Sequence, residues 1–149
     1  MSQEASASTG ETISSVAGPG VATGDAVSEI YRVAKEQGFA LPAVNCVGSN
    51  SVNAELEAAS AVNSPVIVQF SNSGGAFLVG KTLPNENMQT SVRGCVAAAN
   101  YIREVAPAYG VPVILHTDHC AKKHLPWVDG MVEAGERYCE QHGVPLFSS

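Results

Sequence analysis

The chain has 149 residues, 45% of them apolar and 15% charged, with a formal net charge of −6. That composition fits one soluble globular unit rather than a disordered or low-complexity chain. It carries no basic face of the kind nucleic acid attracts and no apolar run near the roughly 20 residues of a membrane helix, so neither partner is expected.

Residues 1–19 are rich in Ser, Ala and Gly and read as a flexible lead-in that cannot pack a core. They have neither the apolar centre of a secretory signal nor the arginines of a transit peptide, and they carry Glu4 and Glu11. The expected compartment is therefore the cytoplasm. Cys46, Cys95, Cys120 and Cys139 form no C-x-x-C motif and read as reduced, partly buried thiols.

Beyond residue 20 the pattern alternates helix and strand. Thr23 is a candidate N-cap, with Asp25 and Glu29 in the first turn; Val27, Ile30, Tyr31 and Ala34 share a face, and Gly38 ends the helix. Residues 39–46 make a short apolar strand with Pro42 near its start. Ser51 is placed as the cap of a second helix that turns Val52, Leu56 and Ala59 inward.

Residues 66–70, Val-Ile-Val-Gln-Phe, are the near-continuous apolar run of a parallel strand covered on both faces. The strand opens into Ser71-Asn72-Ser73-Gly74-Gly75-Ala76, read as a mobile loop of small residues. Its glycines would let a phosphate approach the backbone, with Ser71 as a further donor, although such a loop is more often a plain connection.

A polar stretch from Thr82 to Thr90 precedes a third helix, with Val92, Val96, Ala99, Ile102 and Ala106 inward and Gly110 as its stop. The third strand is Val113-Ile114-Leu115. Pro126 opens a fourth helix whose stripe is Val128, Met131, Val132, Gly135, Tyr138 and Cys139, and residues 144–149 begin a fourth strand.

Four strands, each reached through a helix, predict an α/β fold with a parallel sheet. A doubly wound sheet and a (β/α)8 barrel both fit that order. No G-x-G-x-x-G follows the first strand, whereas polar residues recur at the strand ends: Asn45, Ser71, Asp118-His119 and Ser148-Ser149. The expected architecture is the first half of a TIM (β/α)8 barrel over residues 20–149, cut within its fourth strand, because a whole barrel takes about 250 residues.

The densest chemistry is His116-Thr117-Asp118-His119-Cys120, at the tip of the third strand. A neutral imidazole is a good zinc ligand, and a neighbouring carboxylate binds metal or moves a proton. The bland alternative is a set of polar groups that only caps the strand. One histidine is not a metal site. His116 reads as a supporting hydrogen bonder, Cys120 as a packed thiol before a ligand, and His124 and His142 as loop and helix-end residues. Lys122-Lys123 is equally a solvated loop or an anion-steering pair.

The run His116 to Lys123, followed by Leu125-Pro126-Trp127, strongly resembles the zinc-site segment of class II fructose-bisphosphate aldolases. The likeness extends through residues 41–45, Gln69-Phe70-Ser71-Asn72, Gly80-Lys81 and residues 145–149. It implies a (β/α)8 barrel, a homodimer in full-length form, catalytic Zn2+ with room for an activating monovalent cation, and a place in glycolysis and gluconeogenesis. The implied reaction is reversible cleavage of fructose 1,6-bisphosphate into dihydroxyacetone phosphate and glyceraldehyde 3-phosphate.

By the same resemblance Asp118 is the catalytic proton carrier, His119 a zinc ligand, Ser71 a contact to the glyceraldehyde phosphate part, and Asn45 a substrate-positioning residue. The remaining zinc histidines and the acid for the ketose half are expected past residue 149, so the chain alone is expected to be inactive. His124 stands where the family has an apolar residue, and Ser73 replaces a glycine. The alternatives are a related zinc aldolase, such as one for tagatose bisphosphate, and a non-catalytic half-barrel that binds phosphate ligands. A metal-dependent hydrolase is disfavoured, because the first strand ends in Asn45-Cys46 rather than His-x-His.

Overall fold

In the computed structural model, which describes residues 13–149, alternate positions of the apolar strand Val66–Phe70 face different layers. In chain order the elements are α1 (Ile13–Val16), β1 (Gly20–Val21), α2 (Asp25–Gln37), β2 (Ala43–Asn45), α3 (Ser49–Ala61) and β3 (Val66–Phe70). They continue with α4 (Asn72–Val79), α5 (Gln89–Tyr109), β4 (Pro112–Thr117) and α6 (Leu125–His142). Short 3-10 turns at Glu86–Met88 and Lys122–His124 introduce α5 and α6.

All strand pairs are parallel, in the order β1-β4-β3-β2. Val66, Val68 and Phe70 of β3 and Val113 and Leu115 of β4 pack against α3, α5 and α6. The intervening Ile67 and Ile114 look the other way, where Ile30 of α2 covers the lower part of the sheet. In register, Asn45 lies beside Gln69 and Gln69 beside His116. One face is thus apolar at its base and polar at the C-terminal strand ends.

The helices end where the glycines suggest. Gly38, Gly110 and Gly143 all take the left-handed conformation at φ 73°, 75° and 74°. Pro126 sits in the first turn of α6, where a missing N–H costs nothing. Val52, Leu56 and Ala59 are buried as the periodicity predicts.

Several expectations change. Gly24, not Thr23, stands at the N-cap of α2. Ser51 lies inside α3 and reaches back, accepting from Val47 N–H (3.1 Å) and Gly48 N–H (3.2 Å) and donating to Gly48 O (2.8 Å). Tyr31, Val132 and Cys139 are exposed, while Val33, Trp127 and Ala134 are buried. Of the lead-in, residues 1–12 lie outside the described residues; Ile13–Val16 is helical and Ala17 is buried beside Ile30 and Ile114.

The first strand shrinks from residues 39–46 to Ala43–Asn45. Residues 71–76 are not a loop. Ser71 caps α4, its hydroxyl accepting from Gly74 N–H at 3.1 Å, and Gly75 is pressed against α5. The glycines serve helix packing, with a Cβ on Gly94 falling 1.8 Å from Gly75 O.

Residues 144–149 form no strand of their own, and β1 is a strand that periodicity does not show. Both lie along one edge of β4. Gly20 and Ala22 N–H bond to Val111 and Val113 O, while Ser148 N–H reaches Leu115 O and Thr117 N–H reaches Ser149 O. Among the described residues no helix is long and apolar enough to cross a membrane.

Candidate active site

Three neighbouring strands run out at the same end of the sheet, and each delivers a polar residue there. Asn45 closes β2, Ser71 follows β3, and Asp118 follows β4. Asp118 N–H bonds to Phe70 O at 2.8 Å, which holds the turn after β4 against the end of β3. From Asp118 the Asn45 amide is within reach, donating to Oδ2 at 3.4 Å.

The backbone then turns sharply. His119 sits at φ 44°, in the left-handed region that a non-glycine residue enters at a cost. This turn brings Asp118 and His119 to the wall of one cavity of about 420 Å3, with Ser71, Asn72, Ser73 and His124. A volume of a few hundred Å3 is typical of a small-molecule site. Asp118 is half-buried and His119 exposed, so both are open to a ligand.

The other candidates separate. The His116 ring bonds through Nδ1 to Ser149 Oγ at 2.9 Å. Cys120 is exposed with its thiol toward Ala121 O, which corrects its reading as a packed thiol. His142 stacks on Tyr138 at 4.1 Å at the end of α6. His124, expected as a plain loop residue, lines the cavity with Asp118, and neither it nor Asn72 and Ser73 carries a periodic signal.

Cys46 and Cys95 are buried beneath the strand ends. Burial pushes the Cys95 thiol up to about 11, with the Trp127 indole N–H opposing part of that shift, and it raises Cys46 as well. Both are packing groups, not nucleophiles at neutral pH.

The residue set bears on a metal. His119 is an imidazole donor of the right kind, beside a carboxylate. A catalytic zinc takes three protein ligands, and among the described residues no group of three or more His, Cys, Asp or Glu is placed to hold an ion. His119 is one donor of a set that these residues do not complete.

A sequence profile for class II fructose-bisphosphate aldolase matches residues 25–149. The chain belongs to that family. It is 57% identical over 131 residues to a fructose-bisphosphate aldolase of Edwardsiella ictaluri, covering 88% of this chain and 37% of the relative. The class 2 fructose-bisphosphate aldolase of Escherichia coli K12 is 55% identical over 132 residues, again covering 88% and 37%.

A crystal structure of a Campylobacter jejuni fructose-bisphosphate aldolase superposes with a TM-score of 0.86 at 52% identity. It covers 91% of this chain and 38% of that one. The chain thus spans little more than a third of the length of these aldolases. Its parallel strands and covering helices are the first half of a (β/α)8 barrel, and the Asn45–Ser71–Asp118 arc lies at the strand ends where barrel enzymes carry their chemistry.

Proposed function

We propose that this chain supplies one part of the active site for the reversible aldol cleavage of fructose 1,6-bisphosphate. The observation that carries the reading is the Asn45–Asp118 hydrogen bond, with Asp118 on the wall of a cavity it shares with His119 and Ser71. Cleavage of the carbon–carbon bond turns a hydroxyl into an aldehyde, and a base must take that proton within hydrogen-bond reach. Asp118 takes it, and returns it in the condensation direction. The Asn45 amide fixes the carboxylate through one oxygen and leaves the other to act.

Ser71 binds the phosphate-bearing aldehyde half, since its hydroxyl already accepts from Gly74 N–H and keeps its own proton to donate. Zinc, where a complete donor set exists, supplies the Lewis acid such a cleavage needs. Because no three His, Cys, Asp or Glu of the described residues are placed to hold it together, the 149-residue chain by itself is inactive. The working enzyme is a homodimer, and a cytoplasmic setting fits four cysteines that are all free thiols.

The test is a chimera in which this chain replaces the matching third of the Escherichia coli relative. The chimera should cleave fructose 1,6-bisphosphate in a zinc-dependent way, faster than tagatose bisphosphate. Asp118→Asn should lower kcat by about a hundredfold or more, the scale of a general acid–base contribution, with zinc content unchanged. Equal losses of zinc and turnover would make Asp118 a ligand instead. Zinc-dependent cleavage by the isolated chain would overturn the divided site.

A further inference from the structure

We infer that His124 is a substrate contact that recognises a phosphoryl group in the Asp118 cavity; the inference rests on the aldolase reading and adds a residue to it. Lys122, Lys123 and His124 form one 3-10 turn, closed by His124 N–H on Ala121 O at 2.7 Å. Both lysines are exposed, whereas His124 is half-buried and lines the cavity. Among the described residues its ring has no hydrogen-bond partner, so its nitrogens are left for a ligand.

Beyond Asp118 the cavity wall carries the Ser71, Ser73 and His124 side chains, each able to donate a hydrogen bond. The Ser71 and Ser73 hydroxyls lie 3.4 Å apart, and the Ser71 oxygen is already taken up by Gly74 N–H. A phosphoryl group brings three acceptor oxygens with a fixed spread. His124 and Ser73 together match that chemistry, and the cavity's 420 Å3 accommodates a phosphate monoester of a polyhydroxy carbonyl compound.

The experiment is a titration of the 149-residue chain with inorganic phosphate, followed by NMR of the histidine rings and backbone amides. Saturable shifts are expected at His124 and Ser73. His124→Leu should weaken phosphate binding by about tenfold, the worth of one good hydrogen bond to a charged group, and His124→Gln should restore part of it because its amide still donates. Amide dispersion checks the fold. If His124→Leu misfolds, His124→Ala decides instead, and an unchanged phosphate affinity in that variant would count against the contact. Equal binding by wild type and His124→Leu, or shifts confined elsewhere, would overturn it.

A parallel assay of the zinc-loaded chimera on fructose 1,6-bisphosphate separates the two readings. If phosphate binding by the chain needs His124 but the chimera does not cleave the bisphosphate, the His124 site stands and the aldolase reading fails. If the chimera cleaves the bisphosphate with the same KM in wild type and His124→Leu, the aldolase reading stands and His124 is excluded.

Discussion

The Asn45 amide donates to the Asp118 carboxylate at 3.4 Å, joining the ends of β2 and β4 over the intervening β3. Both side chains are at least partly open to solvent, so the bond contributes little to folding; its consequence is orientation. Asn45→Ala in the chimeric aldolase should reduce kcat by about tenfold through a misplaced base, with the melting temperature shifted by less than about 2 °C. Steady-state kinetics and a thermal melt check both halves. An unchanged kcat would remove Asn45 from the site.

Gly75 and Gly94 hold α4 and α5 in backbone contact. A Cβ on Gly94 would fall 1.8 Å from Gly75 O, and one on Gly75 would fall 2.3 Å from Ser91 O. Neither atom is the tip of a flexible side chain, so the helices must separate to admit a methyl group. Gly94→Ala should cost about 3 kcal/mol or more, at or above the usual overpacking range. Gly135→Ala is the contrast, because nothing lies within 4 Å of its Cβ and α6 gains a better helix former. It should stabilise by roughly 0.5–1 kcal/mol. Urea denaturation of the two variants gives the comparison.

These glycines also mark where local sequence signals stop. The long helices, their glycine stops, β3 and β4 are legible because each rests on a local signal: a period, a left-handed cap or an apolar run. Ser71-Asn72-Ser73-Gly74-Gly75 has loop composition, and from Asn72 onward it is helical because α5 offers Gly94 a close approach that no local pattern announces. β1 escapes periodicity for a similar reason: two residues long, it is a strand only through its pairing along Val111 and β4. At the site, Asp118 and His119 stand out as titratable groups on an apolar strand. His124 does not, since the turn that carries its ring to the cavity is a tertiary event.

The four thiols divide by burial. Cys120 and Cys139 are exposed, whereas Cys46 and Cys95 are buried with raised pKa values. A thiol reagent at pH 8 should modify two cysteines quickly and the other two only on unfolding; rapid modification of all four would contradict the burial. The same shift has a linkage consequence. Folded Cys95 keeps its proton up to about 11, whereas the unfolded thiol loses it near 9.0. Between these values the native state binds more protons, so stability falls as pH rises from 9.0 through 11. Cys95→Ala, melted across that range, should show a shallower decline than the parent chain.

Ser148 ties together three segments at the edge of β4. Its hydroxyl donates to Ala22 O at 2.6 Å and accepts from Leu115 N–H at 2.9 Å, so β1 and residues 148–149 form one continuous border. Arg103 holds the same segment from α5, donating to Leu146 O at 3.0 Å and to Pro145 O, with its guanidinium over the Tyr138 ring. Removing the hydroxyl leaves two backbone groups at this edge without their partner. Ser148→Ala should cost about 1–3 kcal/mol, or several degrees in melting temperature for a chain of this size. Ser149→Ala is the control, because its exposed hydroxyl serves only the His116 ring; its cost should stay below about 0.5 kcal/mol. Hydrogen exchange gives the local readout, with Leu115 N–H losing protection in Ser148→Ala and keeping it in Ser149→Ala. Equal protection in both variants would mean that Ser148 does not close the edge.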